Sequence, residues 1–143
     1  MNAIIQTDPS VSMLILRIGL AVTFIAHSSQ QMFGWKGGRG LMGTVYNWKE
    51  KYRLPVSIGL IGVFTEFLGS FALLSGFLVR PAALALALFI LVVIQKAHWR
   101  HGFFLARRPG ENSGIEYTMA LFLMALAVLF GGGGTLSIDR LLS

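Results

Sequence analysis

The chain has 143 residues, enough for one domain, and a net charge of +6 from twelve basic and six acidic side chains. Hydrophobic residues make up 55% of it and charged residues 13%, against about 45–50% and about 25% in a soluble globular chain. These figures exclude a soluble domain, which needs charge on its surface, and a disordered chain, which is poor in apolar residues. We therefore predict an integral membrane protein with a single domain, residues 1–143.

Four apolar runs follow one another along the chain, separated by a turn or by polar loops. None of them alternates as a strand does, and Ala and Leu dominate, so each run predicts a helix. A membrane span needs about 20 helical residues, with about 17 as a minimum, and the last two runs reach this length only with their polar ends. The predicted fold is an all-α, four-helix transmembrane bundle with helices at about residues 11–33, 56–79, 81–101 and 113–131.

The first long loop, residues 34–55, contains a further helix signal. Four large apolar side chains recur there at helical spacing: Leu41, Val45, Trp48 and Tyr52. Because charged residues occupy the other faces, the pattern predicts a short amphipathic helix in the membrane interface. A re-entrant loop with a functional role is the alternative.

Basic residues are concentrated on one side of the predicted bundle. The two long loops and the adjoining helix ends contain Lys36, Arg39, Lys49, Lys51, Arg53, Lys96, Arg100, Arg107 and Arg108, whereas the other side has only Arg80 and Arg140. Loops rich in Lys and Arg remain in the cytoplasm, so we expect both termini on the outer side. This distribution accounts for the positive charge, and the expected partner is the lipid bilayer, with no nucleic acid.

Ionisable residues within membrane spans are costly and mark candidate sites. On the first helix, Arg17, His27 and Gln31 share a face. On the second helix, Glu66 lies in a row of glycines, which allows close helix packing and directs the carboxyl group into the bundle.

The other two helices add polar groups on the side that holds the basic loops. The third helix ends there at His98, and the fourth begins there with Glu116 and Tyr117. All four helices therefore direct a polar group toward the same half of the bundle interior, where four-helix bundles commonly hold cofactors.

Some of these residues also have structural interpretations. Arg17 and Glu66 could form a buried ion pair, and Glu116 could complete a capping box with Ser113 at the start of the fourth helix. The absence of cysteine excludes thiolate metal ligands and dithiol redox chemistry. No metal bound by protein side chains alone is predicted, and a haem b between His27 and His98 is an alternative.

Five segments resemble, in order, the conserved segments of the DoxX family of small bacterial membrane proteins. They are AHSSQQMFGW at 26–35, TEFLGS at 65–70, HWRHGFF at 98–104, EY at 116–117 and GGGGTLSID at 131–139. The resemblance implies a multi-pass protein of the bacterial inner membrane. With the charge distribution, it implies both termini in the periplasm.

Named members of this family resemble the quinone-linked subunit of a thiosulfate:quinone oxidoreductase. The resemblance therefore implies a quinone as cofactor and an electron-donating protein partner. The predicted catalytic residues are His27, Glu66 and His98. The predicted cofactor-binding residues are Gln31, Arg17, Glu116 and Tyr117. The alternative is a non-catalytic membrane scaffold or small-molecule carrier, and the sequence leaves open whether the chain forms a homo-oligomer.

Overall fold

The computed structural model describes Ile4 and residues 9–143, and within these residues it contains helices, turns and loops but no strand. The all-α prediction is confirmed. The helices from residue 9 onward are α1 (Val11–Phe33), α2 (Gly40–Tyr52), α3 (Val56–Ser75), α4 (Val79–Val93), α5 (Glu116–Gly131) and α6 (Ile138–Leu142).

Three helical segments are long and apolar enough to cross a membrane: Val11–Phe33, Val56–Ser75 and Val79–His101. The third extends α4 through a π turn, Ile94–His98, and a 3-10 turn, Trp99–His101. Helix α5 is also apolar but has only 16 residues. Large apolar side chains point outward from the three segments, and Ile15, Leu68 and Leu88 are all more than half exposed. Such outward faces suit contact with lipid.

Helices α1, α3, α4 and α5 pack as a ring in which each helix contacts two neighbours. The interior is filled by apolar side chains such as Leu20, Phe24 and Leu86. At Gly69 of α3, an added Cβ atom would lie only 3.2 Å from the Leu86 side chain of α4. The glycine row therefore brings α3 close to its neighbour, as its sequence pattern predicts.

The connection between α3 and α4 is longer than the sequence predicts. Helix α3 ends at Ser75, four residues early, because Gly76 adopts a left-handed conformation with a φ of 74°. Helix α4 begins at Val79, where the backbone amides of Leu78 and Val79 each donate to the Asp139 carboxylate over 2.8 Å. Asp139 thus acts as an N-cap for a helix some sixty residues away in sequence.

The helix predicted in the first loop is present as α2. It packs against α1 and α3 and buries Thr44 and Val45. The Trp48 ring lies 6.1 Å from the ring of Phe89 in α4, measured between centroids. Helix α2 therefore covers the end of the ring that the long loops occupy.

The C-terminal tail returns to the end of the ring where α1 begins. The Thr135 amide donates to the carbonyl of Ser10 over 3.3 Å, and the Asp139 amide donates to the carbonyl of Gly76 over 2.9 Å. Helix α5 therefore runs from the end with the long loops to the opposite end.

Candidate functional site

A cavity of about 260 Å³ lies inside the ring and is lined by residues of α1, α3, α5, the α4 segment and the loop before α5. Four of the seven predicted site residues line this cavity: His27, Glu66, His98 and Tyr117. The structure thus brings together the three residues predicted as catalytic and one predicted to bind a cofactor.

Glu66 is the most deeply buried polar group of the cavity, with an exposed fraction of 1%. Its carboxyl group has the Gln31 side chain as a hydrogen-bond partner. The other carboxyl oxygen, Oε2, is buried and has no hydrogen-bond partner within the described residues. Leaving a buried polar group unpaired costs about 1–3 kcal/mol, so Oε2 is a position where a bound molecule can supply the missing partner.

Gln31 bonds the Glu66 carboxyl group but does not line the cavity. Its side chain is buried, and its backbone carbonyl accepts a hydrogen bond from the Thr44 hydroxyl of α2 over 3.4 Å. Gln31 therefore connects the position of the Glu66 carboxyl to the packing of α1 against α2.

His98 lies at the end of the π turn that continues α4, and such turns are frequent at functional sites. Its Nδ1 atom lies 2.8 Å from the backbone carbonyl oxygen of Ser113. A carbonyl oxygen can only accept, so Nδ1 carries the proton of this bond. In the neutral ring, Nε2 is then left as a hydrogen-bond acceptor.

The cavity opens between α1 and α5. Three of its lining residues, Thr23, His27 and Tyr117, also line an adjoining outer pocket that extends to Trp35 and Lys36. Tyr117 has an exposed fraction of 49%, and His27 is exposed as well. A molecule can therefore approach Glu66 from the side of the ring through this opening.

A short loop closes the cavity on the side of the basic residues. Residues 102–106 run beside the segment before α5, where the Gly114 amide donates to the Phe104 carbonyl over 2.8 Å and the Ile115 amide to the Gly102 carbonyl over 3.0 Å. An added Cβ atom at Gly114 would collide with this backbone. The pairing places Leu105 in the cavity lining.

A family model described as DoxX matches residues 12–99. The chain belongs to the DoxX family. The matched range includes His27, Glu66 and His98, and it supports the assignment of the chain as a membrane protein. No curated protein and no solved structure matches the chain.

The capping box considered as an alternative at the start of α5 is wrong for this DoxX chain. Helix α5 begins at Glu116 rather than near 113 and has no side-chain N-cap. The Ser113 hydroxyl accepts instead from the Ala106 amide over 3.2 Å, and the Glu116 carboxylate accepts from the Leu105 amide over 3.1 Å. Glu116 does not line the cavity, and its contact holds the loop that closes it.

The ion pair considered between Arg17 and Glu66 is also wrong. The Arg17 guanidinium donates to the carbonyls of Leu73, over 3.0 Å, and Leu136, over 2.9 Å. Leu73 lies seven residues beyond Glu66 in α3, roughly 10 Å along the helix axis. Arg17 is therefore buried at the opposite end of the ring and does not line the cavity.

Arg17 belongs to a second polar cluster, which we call the closed cluster: Arg17, Gly76, Ser137 and Asp139. Arg17 and Asp139 interact electrostatically, and both are 1% exposed. Asp139 was not predicted as a structural residue. A sequence signal for Asp139 was available in Ser137, two residues before it in the glycine-rich tail. The Ser137 hydroxyl caps α6 by accepting from the Arg140 amide, which places Asp139 in the first turn of that helix.

In the part of the DoxX chain that the structure describes, no group of three or more His, Asp or Glu side chains is close enough to hold a metal ion. His27 and His98 line the same cavity, so haem b between them stays a prediction. An absorbance spectrum of the purified protein tests it, because bound haem gives a Soret band.

Proposed function

We propose that this protein is the membrane subunit of a quinone-linked oxidoreductase and that a quinone ring binds in the cavity beside Glu66. The observation that carries the proposal is the unpaired Oε2 of Glu66, buried in a cavity that opens sideways between α1 and α5. A hydrophobic, membrane-dissolved molecule with polar ring oxygens suits such a site.

The size and lining of the cavity fit a single ring with a tail. Pockets for drug-sized ligands start at about 300 Å³, and this cavity has about 260 Å³. It is therefore suited to a single ring, whose tail has to remain outside. Phe24, Ile90 and Leu121 supply apolar walls for the faces of a ring. The opening beside Thr23 and Tyr117 lets an isoprenoid tail remain outside among lipids.

The polar residues are arranged for proton exchange with a ring oxygen. A quinone takes up two electrons and two protons when it is reduced. We assign Glu66 Oε2 to exchange one proton with a ring oxygen. His98 Nδ1 is already engaged, so we assign His98 Nε2 to accept from the hydroxyl group that the other ring oxygen carries in the reduced quinone and to exchange the second proton there. His27, exposed at the opening, exchanges protons with the surroundings. The chain has no cysteine, so we expect a protein partner to bring the electrons.

We further propose that α5 is the fourth transmembrane helix, that the protein lies in the bacterial inner membrane and that both termini face the periplasm. The contact of the C-terminal tail with Ser10 supports a fourth crossing, because an odd number of spans would separate these segments. The basic loops support the orientation. Reporter fusions at Gly37 and Ser143 should give opposite signals, and a cytoplasmic signal from Ser143 would reverse the orientation.

The decisive experiment measures thermal stability and quinone-dependent activity in one detergent for Glu66→Gln and His27→Ala. Both variants should fold normally and lose turnover by roughly 10²- to 10⁴-fold, the usual contribution of a proton-transfer group. Phe67→Leu, one residue from Glu66 but outside this cavity, is the matched control and should stay active.

The same preparation tests quinone binding directly, because a quinone should co-extract at close to one molecule per chain. Full activity in both folded variants would eliminate the catalytic assignment. An empty protein with a firmly bound partner would favour the membrane scaffold, and a different co-extracted molecule would favour the carrier.

A further inference from the structure

A second pocket, which we call the basic pocket, lies outside the ring on the side of the long loops. It measures about 720 Å³ and lies between the end of α2 and the end of the α4 segment. Five of its eight lining residues have cationic or titratable basic side chains: Lys51, Arg53, Lys96, Arg100 and His101. No carboxylate lines it.

The cations of the basic pocket come from two elements that are distant in sequence. Lys51 and Arg53 lie where α2 ends, and Lys96 and Arg100 lie in the π and 3-10 turns after α4. Within the described residues, none of these four forms an ion pair with a carboxylate. The four cations repel one another, and an anion bound among them would offset this repulsion by its attraction to each of them.

An apolar groove begins next to the basic pocket, at the following residue of the chain. Leu54 follows Arg53 and lines a pocket of about 290 Å³ between α3 and α4, together with residues such as Ile58 and Val92. This pocket shares Ile61, Thr65 and Ala85 with a further apolar pocket of about 510 Å³. The two together form the groove.

The groove has the dimensions of a lipid chain. It extends along α3 from Ile58 to Ala72, which is about 20 Å at 1.5 Å per residue. One leaflet of a hydrocarbon core is about 15 Å deep, half of about 30 Å. The groove is therefore long enough to hold one acyl chain through the whole depth of a leaflet.

We propose that the basic pocket and the groove together bind one anionic phospholipid, with its phosphate among the cations and an acyl chain between α3 and α4. Basic pockets on the cytoplasmic side of helix bundles bind such headgroups. A zwitterionic lipid brings its own cation and gains less from this pocket. Trp99, with an exposed fraction of 66%, stands beside the pocket at the depth where aromatic side chains meet headgroups.

Binding is measured by native mass spectrometry and by the thermal shift of the protein in neutral detergent, with added phosphatidylglycerol or phosphatidylcholine. The wild-type protein should retain phosphatidylglycerol selectively. Lys96→Gln with Arg100→Gln should weaken this binding roughly 20- to 30-fold. Arg107→Gln with Arg108→Gln removes the same charge outside the pocket and should leave binding within about twofold.

Ala85→Phe gives an independent test, because it fills the groove without changing any charge. It should weaken phosphatidylglycerol binding while the protein still folds. Three outcomes overturn the proposal. The first is an equal loss of binding in the two arginine-containing double variants, which indicates non-specific charge. The second is an equal thermal shift from glycerol phosphate, which indicates a site for a small anion. The third is unchanged binding in both Ala85→Phe and the Lys96 and Arg100 variant.

Discussion

The closed cluster and the cavity around Glu66 are both polar and lie in the same ring of helices, but they differ in how their polar groups are paired. In the closed cluster, Arg17 donates to two backbone carbonyls over 3.0 Å or less, and Asp139 accepts two amides over 2.8 Å. Within the described residues, Nε of Arg17 is the one buried side-chain atom of this cluster that lacks a partner. In the cavity, Glu66 Oε2 has no partner within the described residues.

The difference separates structural from functional polarity in a membrane protein. Each charged group of the closed cluster bonds backbone groups near helix ends, where the regular helical hydrogen bonds stop, so the cluster stabilises the fold. The cavity retains an unpaired oxygen and space beside it, and this costs stability. Substitutions in the closed cluster should therefore lower stability. Removing the unpaired polar groups of the cavity should instead raise stability and abolish activity.

The largest loss of stability is expected for Asp139→Ala. The change leaves the amides of Leu78 and Val79 without their acceptor and Arg17 as a buried charge without its counter-charge. Removing one partner of a buried charge pair costs about 3–5 kcal/mol, measured as the free energy of unfolding in detergent. Glu50→Ala, which removes an exposed acidic side chain, is the control and should change it by less than about 0.5 kcal/mol.

Gly76→Ala should cost about 2–3 kcal/mol by the same measurement. Gly76 has a φ of 74°, and an added Cβ atom would collide with the Arg17 guanidinium and with Ser137. Gly19→Ala is the matched control, because a Cβ atom there meets only Met124 at an ordinary 3.9 Å. If Gly76→Ala is as stable as Gly19→Ala, the closed cluster is not tightly packed.

In the cavity, the double variant Glu66→Met with Gln31→Leu should gain about 1–2 kcal/mol of stability. It removes two buried oxygens that lack partners, Glu66 Oε2 and Gln31 Oε1, and replaces both polar partners by apolar groups of similar size. Quinone-dependent activity should be lost at the same time. A loss of stability would mean that the pair is structural, and the contrast with the closed cluster would fail.

The smallest effect is expected for Glu116→Gln, which should cost less than about 1 kcal/mol. Glu116 is exposed, and its carboxylate accepts from the Leu105 amide in the loop that closes the cavity. We expect a modest rise in KM for quinone with kcat unchanged, because the residue acts only through that loop. A fall in kcat comparable with that of Glu66→Gln would instead place Glu116 among the reacting groups.

The helices and the convergence of polar groups could be predicted because both follow from local pattern. Apolar runs predict the spans, and helical periodicity together with depth places His27, Glu66 and His98 in one half of the interior. The structure brings them to one cavity, and their roles stay predictions. The helix in the first loop followed from the spacing of Val45 and Trp48.

The partners of Arg17 and Ser113 could not be predicted, because they are backbone groups. A sequence pattern indicates only which side chains can contact each other. It therefore led to an ion pair between Arg17 and Glu66 and a capping box between Ser113 and Glu116 as alternatives. The carbonyl of Leu136 and the amide of Ala106 have no sequence signature of their own. They become available only where the tail and the loop before α5 fold back, which depends on tertiary structure.

The carbonyls of Leu73 and Leu136, which accept from Arg17, also have a consequence for biogenesis. They lie 56 and 119 residues further along the chain. A ribosome adds about 5–20 residues per second, so Leu136 is added about 6–24 seconds after Arg17. During that interval, the first helix carries an uncompensated guanidinium, which the translocon or the lipid headgroups must accommodate. Insertion of α1 is therefore provisional until the segment around Leu136 has been made, and that late segment commits the first helix to the bilayer.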